Sequence, residues 1–420
     1  MNKIKWITIC LLVYSAILLD LDNLAFYTPI GRIVIFDVFI IIFILINMLK
    51  LKYIRDNRLL NIFFLVMLFL IFYQAISGFY LLQTIDEVSY SNTASVIFKY
   101  LMYLIAMFFM TNHIIANKLI NQYKNIWFYS SVVVSIVGLF QILAINDIPI
   151  FRDLFLWGNI RGGGHRIAAT FRWQGVFIFY LSIIIPLMIG TMLDNEKVIF
   201  KKKYLNLLIM ILLLISGFYS GSRSFLLIIA SSLLLVVLNP LVKNGIRLSI
   251  SKIFFLLLSI IPVYYIINSF VLSSLAVRRV LGLEGAVGVT SGVSPRERII
   301  RSGMEAFETS PFLGVGSGNF NEIVGDASHN SYLEILVENG IFGIMIFTII
   351  FVLLIYICIV NVMKAFKERK THALSVSLII LNILIYQLTA AAIQYRILWV
   401  ILPLIFANYY KYSNYETPKI

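Results

Sequence analysis

Ile341-Phe-Gly-Ile-Met-Ile-Phe-Thr-Ile-Ile-Phe-Val-Leu-Leu-Ile-Tyr-Ile-Cys-Ile-Val360 contains no charged side chain. As a helix rising about 1.5 Å per residue, it reaches across a hydrocarbon core of about 30 Å. Similar runs recur along the chain, Ile253 to Leu272 among them, and the 420 residues are 60% hydrophobic and 13% charged. A mean hydropathy of +0.93 excludes a soluble domain. Apolar stretches fall at 4–19, 32–49, 59–82, 96–116, 126–145, 174–193, 204–219, 224–240, 253–272, 339–363, 373–393 and 397–410. They predict an all-α polytopic integral membrane protein of about twelve transmembrane helices. No internal repeat and no Pro-rich or Gly/Ser linker divides it, so 1–420 reads as one integral membrane domain.

Charge gives the orientation. The formal net charge of +14 resolves into two populations. Segments on one side of the spans, including 50–58, 117–125, 194–203, 242–252 and 364–372, carry 17 Lys and 4 Arg, while the remaining basic residues are 12 Arg and one Lys. Lysine in short loops marks the cytoplasmic side, and an even number of spans then puts both termini there. The expected location is a membrane, crossed many times. Basic loops meeting anionic membrane lipid account for the Lys component, and nucleic acid is not an expected partner.

Arginine on the far side runs against that rule. Its fixed charge and planar fork grip phosphate oxygens at two points, which suits a phosphorylated, lipid-linked substrate. Cys10 and Cys358 both lie in apolar spans, which argues against a disulfide framework or a cysteine-held metal. The N-terminal run after Lys3 and Lys5 lacks a small-x-small cleavage pattern, so an uncleaved first span is expected.

Three external segments follow: 83–95, 146–173 and 273–339. The last, between the ninth and tenth spans, is long enough to form an extracytoplasmic loop subdomain. In it, Ser294-Pro295-Arg296-Glu297 reads as a capping box with Pro at the first helical position, starting a helix that ends near Thr309 because Pro311 follows. Arg298 and Arg301 on that helix read equally well as solvated surface. Gly314-Val-Gly-Ser-Gly-Asn-Phe320 permits positive φ and close backbone approach, either as a plain turn or as an anion-binding nest. In Asp326-Ala-Ser-His329-Asn-Ser-Tyr-Leu-Glu334, Ser331 or Ser328 is expected to cap the next helix. His329 then sits at a helix N-terminus, where the dipole favours the neutral ring that a general base needs; a solvated histidine is the plainer alternative. Ser220-Gly-Ser-Arg223-Ser lies at a narrow turn between two spans. An arginine so close to hydrocarbon is costly unless paired or facing water, although snorkelling also satisfies it. Arg161-Gly-Gly-Gly-His165-Arg166 reads as a flexible basic loop. Walker, HExxH and external DxD motifs are missing, so no nucleotide, metal or other cofactor is expected.

As an ordered set, these pieces resemble the O-antigen ligase/polymerase superfamily of bacterial surface-polysaccharide enzymes. The set comprises Ser220–Ser224, Arg296, Pro311–Phe320, His329-Asn330-Ser-Tyr332-Leu333 and Glu338-Asn-Gly340-Ile-Phe-Gly343, with Arg166-Ile-Ala-Ala-Thr-Phe171 preceding them. The resemblance implies metal-independent, inverting glycosyl transfer from a glycan on undecaprenyl diphosphate to a sugar hydroxyl. By that resemblance His329 is the base and Arg223 and Arg296 bind the diphosphate, with Arg166 and Arg298 as further candidates for that role. Gly314, Gly316, Gly318, Asn330 and Glu334 form a supporting loop. The family often has Trp four residues after the loop arginine, where this chain has Ile300, so Arg298 stands as the alternative to Arg296. The expected activity is polymerisation of lipid-linked repeat units, with a chain-length regulator and a flippase of the same pathway as partners. A ligase moving the finished glycan to another acceptor is the alternative. A transporter or flippase, or a non-catalytic assembly subunit, is a more distant one; Asp37, Gln387 and Arg396 are too few to outline a transport path.

Overall fold

A computed structural model describes residues 2–18, 25–28, 31–48, 57–81, 89–146, 148, 150, 166–196, 198–200, 202–244 and 295–413. These residues are helical apart from one short hairpin. The order is α1 (Asn2–Leu18), β1 (Ala25–Thr28), β2 (Gly31–Val34), α2 (Ile35–Met48), α3 (Arg58–Leu81), α4 (Tyr90–Ala116), α5 (Ile120–Ile145), α6 (Gln174–Leu193), α7 (Lys203–Tyr219) and α8 (Phe225–Asn244). After the undescribed stretch come α9 (Pro295–Thr309), α10 (Phe320–Val324), α11 (Ser331–Glu368), α12 (Thr371–Tyr386), a 3-10 turn at Ala392–Gln394, and α13 (Arg396–Ser413). β1 and β2 pair antiparallel, with Ala25 opposite Val34 and Thr28 opposite Gly31. Six helices among the described residues are long and apolar enough to cross a membrane, and three more are shorter and apolar. The expected ninth span, 253–272, lies outside the described residues, as do Ser294, Arg161 and His165.

Buriedness separates the helices into a centre and a rim. α6 is apolar all round and nearly wholly buried, as a helix enclosed by other helices must be. It packs on α12 through small residues: a Cβ added at Gly190 would lie 2.5 Å from that of Ser375, so the two backbones approach closely there. Pro186, inside α6, has no N–H to offer the carbonyl of Ser182 one turn earlier. Asn382 of α12 supplies the missing donor, its Nδ2 lying 3.0 Å from that carbonyl. In α3, by contrast, Leu65, Phe69, Phe72, Ile76 and Phe79 are exposed, which is where lipid takes the place of protein.

Hydrogen bonds collect alternate helix ends into two groups. One group joins the start of α11 to the end of α12 (Ser331 N to Gln387 O, 2.8 Å), and the end of α12 to the start of α6 (Tyr386 OH to Gly175 O, 2.7 Å). In the other, Lys124 at the start of α5 pairs with Glu196 beyond α6 at 3.2 Å. There Asp194 takes Lys243 of α8 at 2.5 Å and also accepts the Thr371 and His372 amides, capping α12 from outside. Among the described residues, the start of α5, the ends of α6 and α8 and the start of α12 thus sit together, opposite the end that carries Gly175 and Ser331.

α4 and α5 start at Tyr90 and Ile120, six residues before the expected 96 and 126, and two further boundaries that differ from the sequence reading bear on the site. The tenth span is the second leg of a longer helix, whose φ and ψ at Gly340 are 63° and −166°. The eleventh ends at Tyr386 rather than 393, because the chain beyond it turns to serve α11: the Gln387 and Ala390 carbonyls accept from Ser331 N and Oγ.

Asp37 and Arg396, isolated polar positions in the sequence, meet at 3.6 Å, with their side chains 17% and 16% exposed. Tyr103 OH donates to Asp37 at 3.1 Å and the Val34 amide at 3.0 Å. The pair ties α2, α4 and α13 together. Removing one partner strands the other charge, so Arg396→Met is expected to cost about 3 kcal/mol. Combining it with Asp37→Asn should recover part of that loss. Thermal unfolding of the two single variants and the double variant in detergent checks this: additive losses would show that the pair is not coupled.

Candidate active site

Arg166 and Arg223, more than fifty positions apart in the chain, are brought to one turn. The α7–α8 connection is tight because Gly221 adopts φ 68°. Arg166 lies against it, its Nε donating to the Ser220 carbonyl at 3.1 Å, while Ile167 N donates to Tyr219 O at 3.1 Å. A Cβ at Gly221 would come within 2.8 Å of Arg166 Nε, so the absence of a side chain makes room for the guanidinium. The rest of the segment is fixed from below. Gln141 of α5 accepts the Ala168 and Ala169 amides and donates to the Ala169 carbonyl, and Thr170 Oγ1 donates to Ile17 O at the end of α1. Arg223 itself is exposed.

The loop helix α9 runs over the expected residues, ending at Thr309. Ile299 and Ala306 face inward onto Val315, Phe320, Leu333 and Val337. Arg296 and Arg298 are both exposed. Two residues along a helix are separated by about 200°, so they flank the buried face on opposite sides. One phosphate group cannot be gripped by both in the same way, and the choice between them is therefore a real one.

Gly314, Gly316 and Gly318 all have positive φ, at 74°, 87° and 84°. The turn closes on its own protein. Gly314 N donates to Ser310 O, Val315 N to Val337 O and Gly316 N to Glu338 O. Phe320 N donates to the Glu338 side chain at 3.2 Å. The acceptor beside this turn is thus a side chain of α11. Polar groups of α3 and α4 complete the seat: Tyr73 OH donates to Asn339 O at 2.7 Å, Ser77 Oγ to Leu313 O at 3.1 Å, and Asn319 Nδ2 to Thr93 Oγ1 at 3.2 Å.

His329 is exposed, with φ 49°, in the left-handed region. Its neighbours are anchored. Ser328 is buried and donates from Oγ to Glu334, whose other oxygen accepts from Gln394 Nε2 at 2.6 Å. Asn330 is the N-cap of α11, its Oδ1 accepting the Tyr332 and Leu333 amides at 2.9 and 3.2 Å. The sequence reading gave that cap to Ser331 or Ser328. Ser331 is instead the first helical residue, its hydroxyl committed to Gln387 Oε1 and Ala390 O. Gln387, Gln394 and Glu338 were missed as supports; a polar side chain in apolar surroundings was their only local signal.

The arrangement offers an exposed imidazole on a rigid base and a guanidinium turn, both on the bundle end that gathers α6, α11 and α12. Residues 208–348 match the family model described as O-antigen ligase. No curated protein matches the chain. The matched stretch spans the Arg223 turn, α9, the glycine turn and the His329 loop, and over these residues the chain is similar to the O-antigen ligase family.

Proposed function

We propose that the protein polymerises undecaprenyl-diphosphate-linked oligosaccharide repeat units into a surface polysaccharide on the outer face of a bacterial plasma membrane. The observation that carries this reading is the match over residues 208–348, which contains both the guanidinium turn and the histidine loop. His329 takes the proton of the acceptor hydroxyl as that oxygen attacks the anomeric carbon of the donor. The glycosidic bond to the lipid diphosphate breaks on the opposite face, inverting the carbon. Arg223, with Arg166 behind it and Arg296 or Arg298 from α9, stabilises the charge gathering on the leaving diphosphate. Fixed guanidiniums suit this because they need no reorganisation as the charge develops. Gly314, Gly316, Gly318, Asn330 and Glu334 hold the loop. About twelve spans, cytoplasmic termini and an external loop at 273–339 complete the topology. A chain-length regulator and a flippase of the same pathway are the expected partners.

Reconstitution in liposomes with lipid-diphosphate-linked oligosaccharide, no nucleotide and excess chelator tests the activity. A ladder of glycans spaced by one repeat unit supports polymerisation, and its absence with intact, accessible donor refutes it. Because the matching family is described as a ligase, transfer of a finished glycan to a different acceptor is the second reading. Supplying that acceptor to the same liposomes separates the two. In the active preparation, Arg223→Lys should lower transfer by about ten- to a hundredfold, since a point ammonium cannot replace the planar fork. Near-normal rates in that variant would remove Arg223 from the diphosphate site.

A further inference from the structure

Glu338 has no part in the chemistry above, yet its side chain is buried at 6% exposure. Its carboxyl oxygen accepts the Phe320 amide at 3.2 Å. One turn earlier Glu334, equally buried, accepts from Ser328 Oγ and Gln394 Nε2. Residues four apart share a helix face. The stretch from Phe320 to Ser328 is therefore tied at both ends to one face of α11, and His329 is the next residue out. Asn319 ties the turn to Ser89 and Thr93 but makes no capping bond to α10, so the Glu338 side chain is what meets the first α10 amide. Burying two carboxylates one turn apart is costly unless each is well hydrogen-bonded, and here each holds one end of the same segment.

We infer that Glu338 is a positioning residue: by holding the start of α10 its side chain fixes where Ser328 presents His329. The inference rests on the reading of His329 as the base.

Hydrogen exchange of the protein in lipid nanodiscs, read by mass spectrometry, tests it together with transfer kinetics. Glu338→Gln keeps the side chain's shape but turns one acceptor into a donor facing an amide donor. Exchange in peptides covering 318–330 should rise by about tenfold or more, as a buried amide left without its acceptor implies, with the rest of the chain unchanged. In the same variant kcat should fall while the donor KM holds, the signature of a displaced reacting group rather than weaker binding. Unchanged exchange in 318–330 overturns the inference, and faster exchange with unchanged kcat overturns the link to His329. Should Glu338→Gln fail to fold, Glu338→Asp retains the carboxyl group and retracts it by one methylene; unaltered exchange there overturns the proposal equally. Adding Glu338→Gln to His329→Ala should raise exchange as it does alone. If the unsubstituted protein shows no transfer at all, the catalytic reading fails while the exchange result still judges Glu338.

Discussion

His329→Ala is expected to lower glycan transfer by about 10²–10⁴-fold, the contribution of a positioned general base. Insertion and thermal stability should stay near those of the unsubstituted protein. The reason lies in the surroundings: the imidazole is exposed, whereas the neighbouring Ser328 and Asn330 make the loop's anchoring bonds through their own side chains. Alanine at 329 leaves those bonds in place. Backbone strain at φ 49° is already carried by a non-glycine residue, so this substitution adds none of consequence. Initial rates with purified protein in liposomes, beside an unfolding curve from the same preparation, provide the check. Transfer within a few-fold of normal would exclude His329 as the base. Lost transfer with lost stability would point to a structural role instead.

Gly340→Ala carries the largest expected effect on folding. At φ 63° and ψ −166° the backbone is in a region that is essentially glycine's own, costing other residues about 1–3 kcal/mol. Space is also denied. A Cβ there would fall on the Phe312 carbonyl and lie 2.7 Å from the Gly314 amide nitrogen. Both are backbone atoms and both are held: the Phe312 carbonyl accepts from the Tyr73 hydroxyl, and the Gly314 amide donates to the Ser310 carbonyl. Neither can step aside as a long side chain would, so overpacking adds about 1–3 kcal/mol more. The expected loss is about 3 kcal/mol or greater, read as a fall in the unfolding midpoint and in the yield of folded protein. Gly325→Ala is the control: φ is 79°, but no atom lies within 4 Å of the added carbon, so only the conformational part should appear. Equal losses in the two variants would show that the crossing of Gly340 over residues 312–314 contributes nothing.

The spans were legible because a long apolar run admits only one economical backbone in lipid. The run read as 174–193 is α6, Gln174–Leu193, and that read as 204–219 differs by one residue from α7. Polar residues inside or beside the runs were legible as oddities, not as partners. Asp37 and Arg396 are separated by most of the chain, and Ser331 and Gln387 by 56 positions, so no local pattern links them. The cap of α11 shows the same limit. Ser328, Asn330 and Ser331 are all good capping types, and the choice fell to Asn330 because Gln387 and Ala390 claim the Ser331 hydroxyl. Likewise the glycine turn announced positive φ, but not that its amides would close on Glu338. Motifs named the residues proposed for chemistry, while what holds them in place is tertiary and came from distant elements.

The bond between Asn382 and the Ser182 carbonyl bears on the order in which the molecule is built. A ribosome delivers α6 some 200 residues before the side chain that completes it. Through that interval the proline-broken turn must find another donor, from water or a neighbouring helix, since an unmet carbonyl in hydrocarbon is costly. Arrival of α12 then does two things at once: it satisfies the carbonyl and sets the rotation and depth of the late helix against the early one. A late helix thus enters as a key whose lock was cut near the middle of the sequence.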